Sequence, residues 1–300
     1  MSLVFRARPP ARRSRAMGAP WSDTREDRIR RQTIPGPPFA GRGRALSRAW
    51  ARSRGYTDSW ALGVDNDGST VVGYASGPGG VAPRAYRWTA SGGMQPIAGN
   101  SSQANAISRD GSVIVGEFAV ESGAPQGFRW TQAGGLQPLA SLSGSASSYA
   151  RGVNADGSVI VGLSVVGTAD VPTRWINGVP TQLPVPSGWG NNANPLAVSD
   201  NGQVIVGTGA PSSGGGTGAA IWTPATGVVS MAEYLGSFGI TLPPGLLLRD
   251  ATGVSADGMT VVGHTYGPAG IVEGYVATIP SPGAVPLLAL GALLVARRRR

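Results

Sequence analysis

Carboxylates beside recurring glycines are the residues with the clearest chemical pattern in this sequence. Four aspartates each directly precede a glycine, namely Asp67, Asp110, Asp156 and Asp257. An aspartate in a tight turn hydrogen-bonds nearby backbone, so a role in turns already explains these residues. The run from Asp65 to Gly68 begins like a calcium loop but lacks the later bidentate acid. We therefore predict no metal site, and at most weak calcium binding at the first of these turns.

Three glutamates in variable segments, Glu117, Glu121 and Glu273, are the other candidates for acid–base chemistry. A glycosidase needs two carboxylates about 5–9 Å apart, and nothing in the sequence places any two of these together. The single histidine, His264, is expected to be solvated in a loop, without a GxSxG nucleophile motif. The chain has no cysteine, which excludes thiolate chemistry. We predict no catalytic residue and no cofactor. The alternative to this non-enzymatic function is a secreted polysaccharide-acting enzyme.

The aspartate–glycine pairs belong to a hairpin that occurs five times. Its turn glycines are spaced 43 to 56 residues apart and are Gly68, Gly111, Gly157, Gly202 and Gly258. A period of this length built from short strands is typical of a solenoid or a propeller. The first turn residue is Asp, Asn or Ser, which we expect to hydrogen-bond the backbone two residues further on. The glycine is expected to adopt a positive φ.

Each hairpin is followed by strands that complete a four-stranded unit. A run such as Val113-Ile-Val115 predicts a strand that is covered on both faces. A third strand carries a tryptophan in four copies, at Trp88, Trp130, Trp175 and Trp222, and the fifth copy has Ala277 there. We interpret these tryptophans as core anchors. The pattern predicts an all-β, β-propeller-like array of about five four-stranded blades, forming either a ring or an open arc of a larger ring.

The repeat resembles the HAF repeat of secreted bacterial proteins. That family has an "INxxGQVVG"-like hairpin, a "HAFxWT"-like strand and a "GGMxxL" segment. Here "AYRWT", "GFRWT" and "GGMQPI" stand in the last two places, although no copy keeps the histidine. The resemblance covers residues 60–278. It implies an extracellular β-propeller-like protein and does not imply an activity.

The charge is distributed unevenly along the chain. Residues 1–55 contain 14 Arg against 3 acidic residues, with no sustained apolar run, and are predicted to be a disordered tail. A second hypothesis is that this segment comes from a mispredicted translation start. Residues 56–279 form the predicted repeat domain and carry 7 Arg against 13 acidic residues. The folded body is therefore mildly acidic, and no nucleic-acid partner is predicted.

Two local elements stand out within the repeat domain. Met231, Leu235 and Phe238 recur at helical spacing, so a short amphipathic helix within 228–239 is expected to cap the array. Three segments of varying length, residues 74–84, 117–126 and 208–218, are predicted to be loops. We expect them to face outward for adhesion or matrix contact.

The C-terminal segment, residues 280–300, has the composition of a membrane signal. An uncharged run over 284–296 would span about 20 Å as a helix, short of the ~30 Å hydrocarbon core. A buried core helix is the alternative, but a cluster of terminal arginines fits the cytoplasmic face of a membrane better. The arrangement resembles a PEP-CTERM-type sorting signal, with residues Pro280, Ser281, Pro282, Gly283, Arg297, Arg298, Arg299 and Arg300.

The sorting resemblance completes the functional prediction. It implies recognition by an exosortase-like enzyme in the membrane and cleavage near Pro280 to Gly283, although this motif has serine where the family has glutamate. We predict an exported, non-enzymatic protein of the cell envelope or extracellular space. Its expected partners are the membrane, the sorting enzyme, and extracellular polysaccharide or protein.

Overall fold

Five four-stranded antiparallel sheets form the body of the protein. This description rests on a computed structural model that describes residues 4–6, 56–77, 82–187, 189, 193–209, 218–266 and 272–279. Each sheet corresponds to one copy of the sequence repeat and is called a blade below. The prediction of an all-β array with about five four-stranded units is confirmed.

The strands follow one another in chain order within each blade. Blade 1 contains β2 (Asp58–Val64), β3 (Thr70–Ser76), β4 (Arg84–Thr89) and β5 (Gly93–Asn100). Blade 2 contains β6 (Ser102–Ile107), β7 (Val113–Ala119), β8 (Pro125–Thr131) and β9 (Gly135–Pro138). Blade 3 contains β10 (Ser145–Val153), β11 (Val159–Val166), β12 (Ala169–Ile176) and β13 (Val179–Gln182). Blade 4 contains β14 (Asn194–Val198), β15 (Ile205–Gly209), β16 (Gly218–Thr223) and β17 (Gly227–Ser230).

Blade 5 is completed by a strand from the other end of the chain. It contains β18 (Leu247–Val254), β19 (Thr260–Tyr266) and β20 (Val272–Thr278), and β1 (Val4–Arg6) pairs with β20. At these three residues the structure differs from the predicted disordered tail, because their backbone is part of a sheet. The rest of that tail, residues 1–3 and 7–55, lies outside the described residues.

The predicted C-terminal helix also lies outside the described residues, as do Pro280 to Arg300. Within the described ranges no helix is both long and apolar enough to cross a bilayer. The one helix there is α1 (Met231–Gly236), which begins with a capping box between Ser230 and Glu233. Met231 and Leu235 are buried in the core that blades 4 and 5 share, so the predicted amphipathic helix is present, and its core packing agrees with the prediction.

Apolar residues between successive blades form the core. On blade 1, Val72 packs with Ile114 and Phe128 of blade 2. On blade 2, Val115 packs in the same way with Ile160 and Trp175 of blade 3. In blades 2 to 4 the β-branched runs are therefore covered on both faces, as predicted, because one residue faces the previous blade and its neighbour faces the next.

The tryptophans occupy equivalent places with different degrees of burial. Trp175 and Trp222 are buried, whereas Trp88 and Trp130 are partly buried against their clusters. The indole N–H of Trp175 donates to the carbonyl of Ala140 at 2.7 Å. Ala277 is fully buried at the corresponding place in blade 5. The prediction of a core anchor is confirmed at Trp175 and Trp222 and is met only in part at Trp88 and Trp130.

A bulge in the first strand of every blade explains a second set of glycines. The pairing between the first two strands shifts by one residue in each blade, and the extra residues are Leu62, Asn105, Arg151, Leu196 and Thr252. The carbonyl two residues before each bulge lies against a glycine of the next strand. A Cβ there would come closer than 3.0 Å to that carbonyl at Gly73, Gly116, Gly162, Gly207 and Gly263. Only glycine fits this approach.

The stack of blades ends at an uncovered face of blade 5. Val262 is 40% exposed, although Val72, Val115, Val161 and Val206, at the same place in the other blades, are completely buried. Burial in β19 accordingly alternates residue by residue, in contrast to the continuous burial at the start of β7. No further described element packs on this face.

Replacing Gly162 with alanine should destabilise the protein by about 3 kcal/mol or more, because the new Cβ would collide with the Tyr149 carbonyl. Gly236→Ala is the control, since no atom lies within 4 Å of a Cβ there. Urea unfolding of both variants measures the difference. Equal free energies of unfolding would contradict the bulge.

Val206→Ala should cost roughly 2 kcal/mol, because a fully buried side chain loses its packing against blade 5. Val262→Ala at the equivalent place should cost less than about 0.5 kcal/mol, since that face is uncovered. Thermal unfolding of the two variants compares them directly. A similar loss in both would mean that blade 5 is covered in solution.

Candidate functional site: the axial cavity

The hairpin turns of all five blades converge on one cavity. It has a volume of about 410 Å³. Its lining includes Val64, Asp65, Asn66, Ile107, Arg109, Val153, Asn154, Ala155, Asp200, Val254 and Ala256. These residues end the first strand of each blade or begin the following turn, so the first strands surround a common axis. A cavity of this size is within the range of ligand pockets.

Each turn is closed by two side chains. In blade 2, the hydroxyl oxygen of Ser108 accepts the N–H of Val113 at 2.9 Å, five residues further on. Asp110 then accepts the N–H of Ser112 at 2.9 Å, two residues further on. The predicted bond from the first turn residue to the backbone two residues on is therefore wrong. The third residue makes that bond, while the first caps the start of the next strand.

The turn glycines have the predicted backbone conformation. Their φ values lie between 72° and 76° at Gly68, Gly111, Gly157, Gly202 and Gly258. Four of them also pack closely on the preceding blade: Cβ atoms at Gly157, Gly202 and Gly258 would clash with valines of that blade, and one at Gly111 would come within 3.0 Å of Asp65. Gly68 has no such neighbour, because no described blade precedes blade 1.

Backbone hydrogen bonds link each turn to the next. The N–H of Asn66 donates to the carbonyl of Arg109 at 3.0 Å, and the N–H of Asp110 donates to Ala155 at 3.2 Å. The N–H of Ala155 donates to Asp200 at 3.5 Å, and that of Asp200 donates to Ala256 at 3.1 Å. These bonds fix the turns relative to one another and hold the mouth of the cavity.

An ion pair crosses the cavity mouth. The guanidinium of Arg109 in blade 2 contacts the carboxylate of Asp200 in blade 4 at 2.9 Å. Both side chains are more than a third exposed. Such a pair contributes at most about 1 kcal/mol to stability. Its consequence is a mouth that displays charges of both signs, with the Asp65 carboxylate as a second acid in the lining.

The predicted calcium-like turn uses its carboxylates internally. Asp65 accepts the N–H of Thr70 at 3.0 Å and the hydroxyl of Ser69 at 2.9 Å, and Asp67 accepts the N–H of Ser69 at 2.8 Å. These contacts satisfy the turn rather than leaving an open ligand set. Across the described residues, no group of three or more His, Cys, Asp or Glu side chains is arranged to hold a metal.

Three of the turn aspartates, Asp110, Asp156 and Asp257, are stabilised as carboxylates. The hydroxyl and N–H of Ser158 lower the pKa of Asp156, and the hydroxyl of Ser255 with the N–H of Met259 lowers the pKa of Asp257. Burial alone would raise the pKa of Asp110, but the hydrogen bonds from Ser108 and Ser112 outweigh it. Blade 4 has Asn201 at this position with the same contact to the backbone.

Glu117 lies in a different environment from the turn aspartates. It belongs to β7, not to a loop as predicted, and it accepts a hydrogen bond from the amide of Asn105. Burial raises the pKa of this carboxyl, while the nearby charge of Arg151 and the bond from Asn105 partly oppose the rise. Asn105 and Arg151 were not predicted as site residues. Both are bulge residues, and their types differ from blade to blade.

The other predicted acids are not brought to Glu117. Glu121 is exposed in the turn that follows β7, and Glu273 lies in β20 of blade 5. His264 is in strand β19 rather than in a loop, and its Nδ1 lies 2.8 Å from Asp250 Oδ1. No serine or threonine hydroxyl contacts this pair in the part of the chain that the structure describes.

The predicted outer loops are shorter than expected. Strand β3 extends to Ser76, β7 to Ala119 and β15 to Gly209, so the first residues of each predicted loop are in strands. Residues 78–81 and 210–217 lie outside the described residues. A second cavity of about 370 Å³ lies between blades 2 and 3, near Arg129, Asp156 and Asn177.

Comparison with known proteins finds solved structures that are similar in fold. TolB from Acinetobacter baumannii is similar at a TM-score of 0.50 and 17% identity, over 74% of this chain and 54% of that one. A candidate TolB from Agrobacterium tumefaciens gives a TM-score of 0.49 and 16% identity, over 75% and 91% of the two chains. The β-propeller domain of the Trilobed protease from Pyrococcus furiosus gives 0.41 and 10%, over 74% and 81%.

These similarities concern the fold alone, because every identity is below 25%. The chain spans about half the length of the Acinetobacter protein. No family model matches the sequence, and no curated protein matches it. The arrangement of five four-stranded sheets is thus that of a β-propeller, and function must be argued from the residues described above.

Replacing Asp110, Asp156 and Asp257 together with asparagine should lower stability at pH 7 only modestly, because an amide oxygen keeps the contact to the backbone, as Asn201 does, but loses the charge that strengthens it. Their lowered pKa values stabilise the fold above the ordinary aspartate pKa of about 3.9, and this contribution is lost as pH falls through the folded-state values. The triple variant should therefore lose less stability than the parent as the pH falls from about 5 to about 2, because it has no carboxylates at these positions to be protonated. Parallel acid unfolding curves would contradict the turn contacts.

Proposed function

We propose that the protein is a non-enzymatic binding protein of the cell envelope or extracellular space. In this proposal its blades are a rigid frame that presents a polar cavity at one end and connecting loops at the other. The partner is an extracellular polysaccharide or protein. Adhesion or matrix contact, rather than turnover, is the role.

The observation that carries the proposal is the set of hydrogen bonds between turns. Asn66, Asp110, Ala155 and Asp200 each donate a backbone N–H to the next blade. A cavity held in this way is formed before any partner arrives, so binding costs little ordering. Its mouth carries the exposed Arg109–Asp200 pair, which presents one charge of each sign and favours a polar partner over a strongly charged one.

The connecting loops support the second half of the proposal. In each blade the second strand ends, and the third begins, at the end opposite the turns. The number of residues between these strands is two in blade 3, between Val166 and Ala169, and is larger after Ser76 and Gly209. Variable length at one end of a constant frame is typical of surfaces that contact partners.

The proposed export and membrane anchoring are supported by the sequence. The Pro280-Ser281-Pro282 motif, the apolar run and Arg297 to Arg300 support recognition by an exosortase-like enzyme in the membrane. The resemblance to secreted HAF-repeat proteins supports the same location.

A secreted polysaccharide-acting enzyme is the second candidate. Glu117 favours it, because a half-buried carboxyl with a raised pKa is the kind of group that acts as a general acid. A hydrolase of this kind needs a second carboxylate within reach, and neither Glu121 nor Glu273 hydrogen-bonds Glu117 in the described structure.

The purified full chain should bind extracellular polysaccharides or envelope proteins without releasing reducing ends. The measurement is a pull-down of the candidate polymers, combined with a reducing-sugar assay, on the parent and on Glu117→Gln. Bound but uncleaved polymer supports the proposal. Cleavage by the parent that is lost in Glu117→Gln would replace it with the enzyme.

A further inference from the structure

The cavity of about 370 Å³ between blades 2 and 3 brings charged, amide and apolar side chains to one open space. Blade 2 supplies Arg129, Gln137 and Pro138 from its third and fourth strands. Blade 3 supplies Asp156 from its turn and Asn177 from the two-residue link between β12 and β13. These side chains therefore line one space across the boundary between two blades.

Hydrogen bonds fix both walls of this cavity. The indole N–H of Trp175 in blade 3 donates to the carbonyl of Ala140 at 2.7 Å, which ties blade 3 to the segment that follows β9. The N–H of Asn177 donates to the carbonyl of Ser158 at 2.9 Å, which joins the link to the turn. The space is thus formed before a ligand enters, and binding there requires little ordering.

The polar side chains of the cavity have unused hydrogen-bonding groups. Arg129 and Gln137 lie opposite each other on β8 and β9, so their side chains share one face of the sheet. Neither of them, nor Asn177, has a side-chain hydrogen bond or an ion pair with another described residue. Asp156 is exposed and receives both hydrogen bonds from Ser158 on Oδ1, so its Oδ2 is available as an acceptor.

The Arg129 guanidinium is open to a ligand. The Nε atoms of Arg151 and Arg174 are enclosed without a partner, whereas no nitrogen of Arg129 is enclosed in this way. Within the described part of the chain no carboxylate lies within 4.0 Å of this guanidinium, although Asp156 lines the same space. A cationic donor and an anionic acceptor thus both face the cavity without neutralising each other through a direct contact.

The two charges select a neutral ligand. The hydrogen bonds from Ser158 lower the pKa of Asp156, so this group is a carboxylate at neutral pH. An anion would be repelled by Asp156 and a cation by Arg129, because both charges line one cavity. The complement therefore carries no charge and offers both donors and acceptors.

The remaining groups favour a saccharide among neutral ligands. A hydroxyl group is both a donor and an acceptor, and so are the amides of Gln137 and Asn177. The exposed ring of Pro138 gives the C–H face of a sugar an apolar surface to pack on. An extended peptide is bound mainly by main-chain hydrogen bonds to a sheet edge, whereas the unused groups described above belong to side chains.

We propose that the cavity between blades 2 and 3 binds a unit of a neutral saccharide through Arg129, Gln137, Asp156 and Asn177. This inference rests on the proposed binding function and names the chemistry of its partner. Arg129 donates to a sugar hydroxyl, and Asp156 accepts from another. The two amides bind further hydroxyls, and Pro138 packs on the ring.

Blade 1 provides a matched control for this site. Arg87 and Gln95 are opposite each other on β4 and β5, as Arg129 and Gln137 are on β8 and β9. Arg87 has the same strand position and does not line the cavity between blades 2 and 3. A role of the repeated arginine in folding would affect both positions, whereas a role in this cavity affects Arg129 alone.

The test is isothermal titration of the full chain with neutral gluco-, galacto- and manno-oligosaccharides. At least one should bind, and Arg129→Met should weaken it by about tenfold or more, as expected for a hydrogen bond from a charged group. Asn177→Gly should weaken it by about three- to tenfold, since it removes a neutral partner. The φ of Asn177 is 50°, which glycine adopts readily, so this variant keeps the turn. Arg87→Met should leave the affinity unchanged.

Thermal unfolding of each variant separates lost binding from lost folding, and Asn177→Gly tests the site if Arg129→Met does not fold. The inference is overturned if no neutral saccharide binds, if binding survives both cavity variants, or if Arg87→Met weakens it equally. Binding only of a charged polymer or a peptide also overturns it, while leaving the proposed binding function standing. Failure of every polymer and protein partner would instead count against the proposed function itself.

Discussion

The close approach of two backbones inside every blade is the constraint on which the architecture depends. A bulge in the first strand pushes a carbonyl against the second strand, at a place where only glycine fits. Gly162 and its four equivalents therefore follow from backbone geometry rather than from loop flexibility. Bulges bend a strand and increase its twist. In this protein they occur where the first strands approach the common axis, just before the turns that line the cavity.

Stacking of the blades follows from the same repeat. In the middle of the array, adjacent β-branched residues of each second strand pack on the two neighbouring blades, so such a blade is buried on both faces. Only blade 5 exposes the residue that would face a following blade. The polar side chains that could bind a partner lie at positions outside this packing. The turns supply the axial cavity, and the turn of blade 3 also supplies Asp156 to the cavity between blades 2 and 3. Structure and candidate chemistry thus meet at the turn that follows each bulged first strand.

The sequence predicted what repeats and missed what varies. The period and the positive φ of the turn glycines could be predicted because all five copies share them, and the core place of Trp175 because four copies have tryptophan there. The bulges could not, because Leu62, Asn105, Arg151, Leu196 and Thr252 have no common residue type. Glu117 was singled out, yet its partner Asn105 is a bulge residue of the preceding strand, which the sequence pattern did not predict. One signal was available at the residue after the second glycine of each repeat. Glu117 is the only acidic residue at this position, where the other copies have Tyr74, Leu163, Thr208 and His264. The prediction that His264 lies in a loop was wrong, because strand β19 continues past Gly263.

Hydrogen exchange of the turn amides tests the central claim, that the blades are joined turn to turn around one axis. The N–H groups of Asn66, Asp110, Ala155 and Asp200 donate across blades, whereas that of Ala256 has no acceptor among the described residues. Native-state exchange measured by NMR should find the first four slow and Ala256 fast. Equal, fast exchange at all five amides would contradict the account, because the turns would then not be bonded to one another.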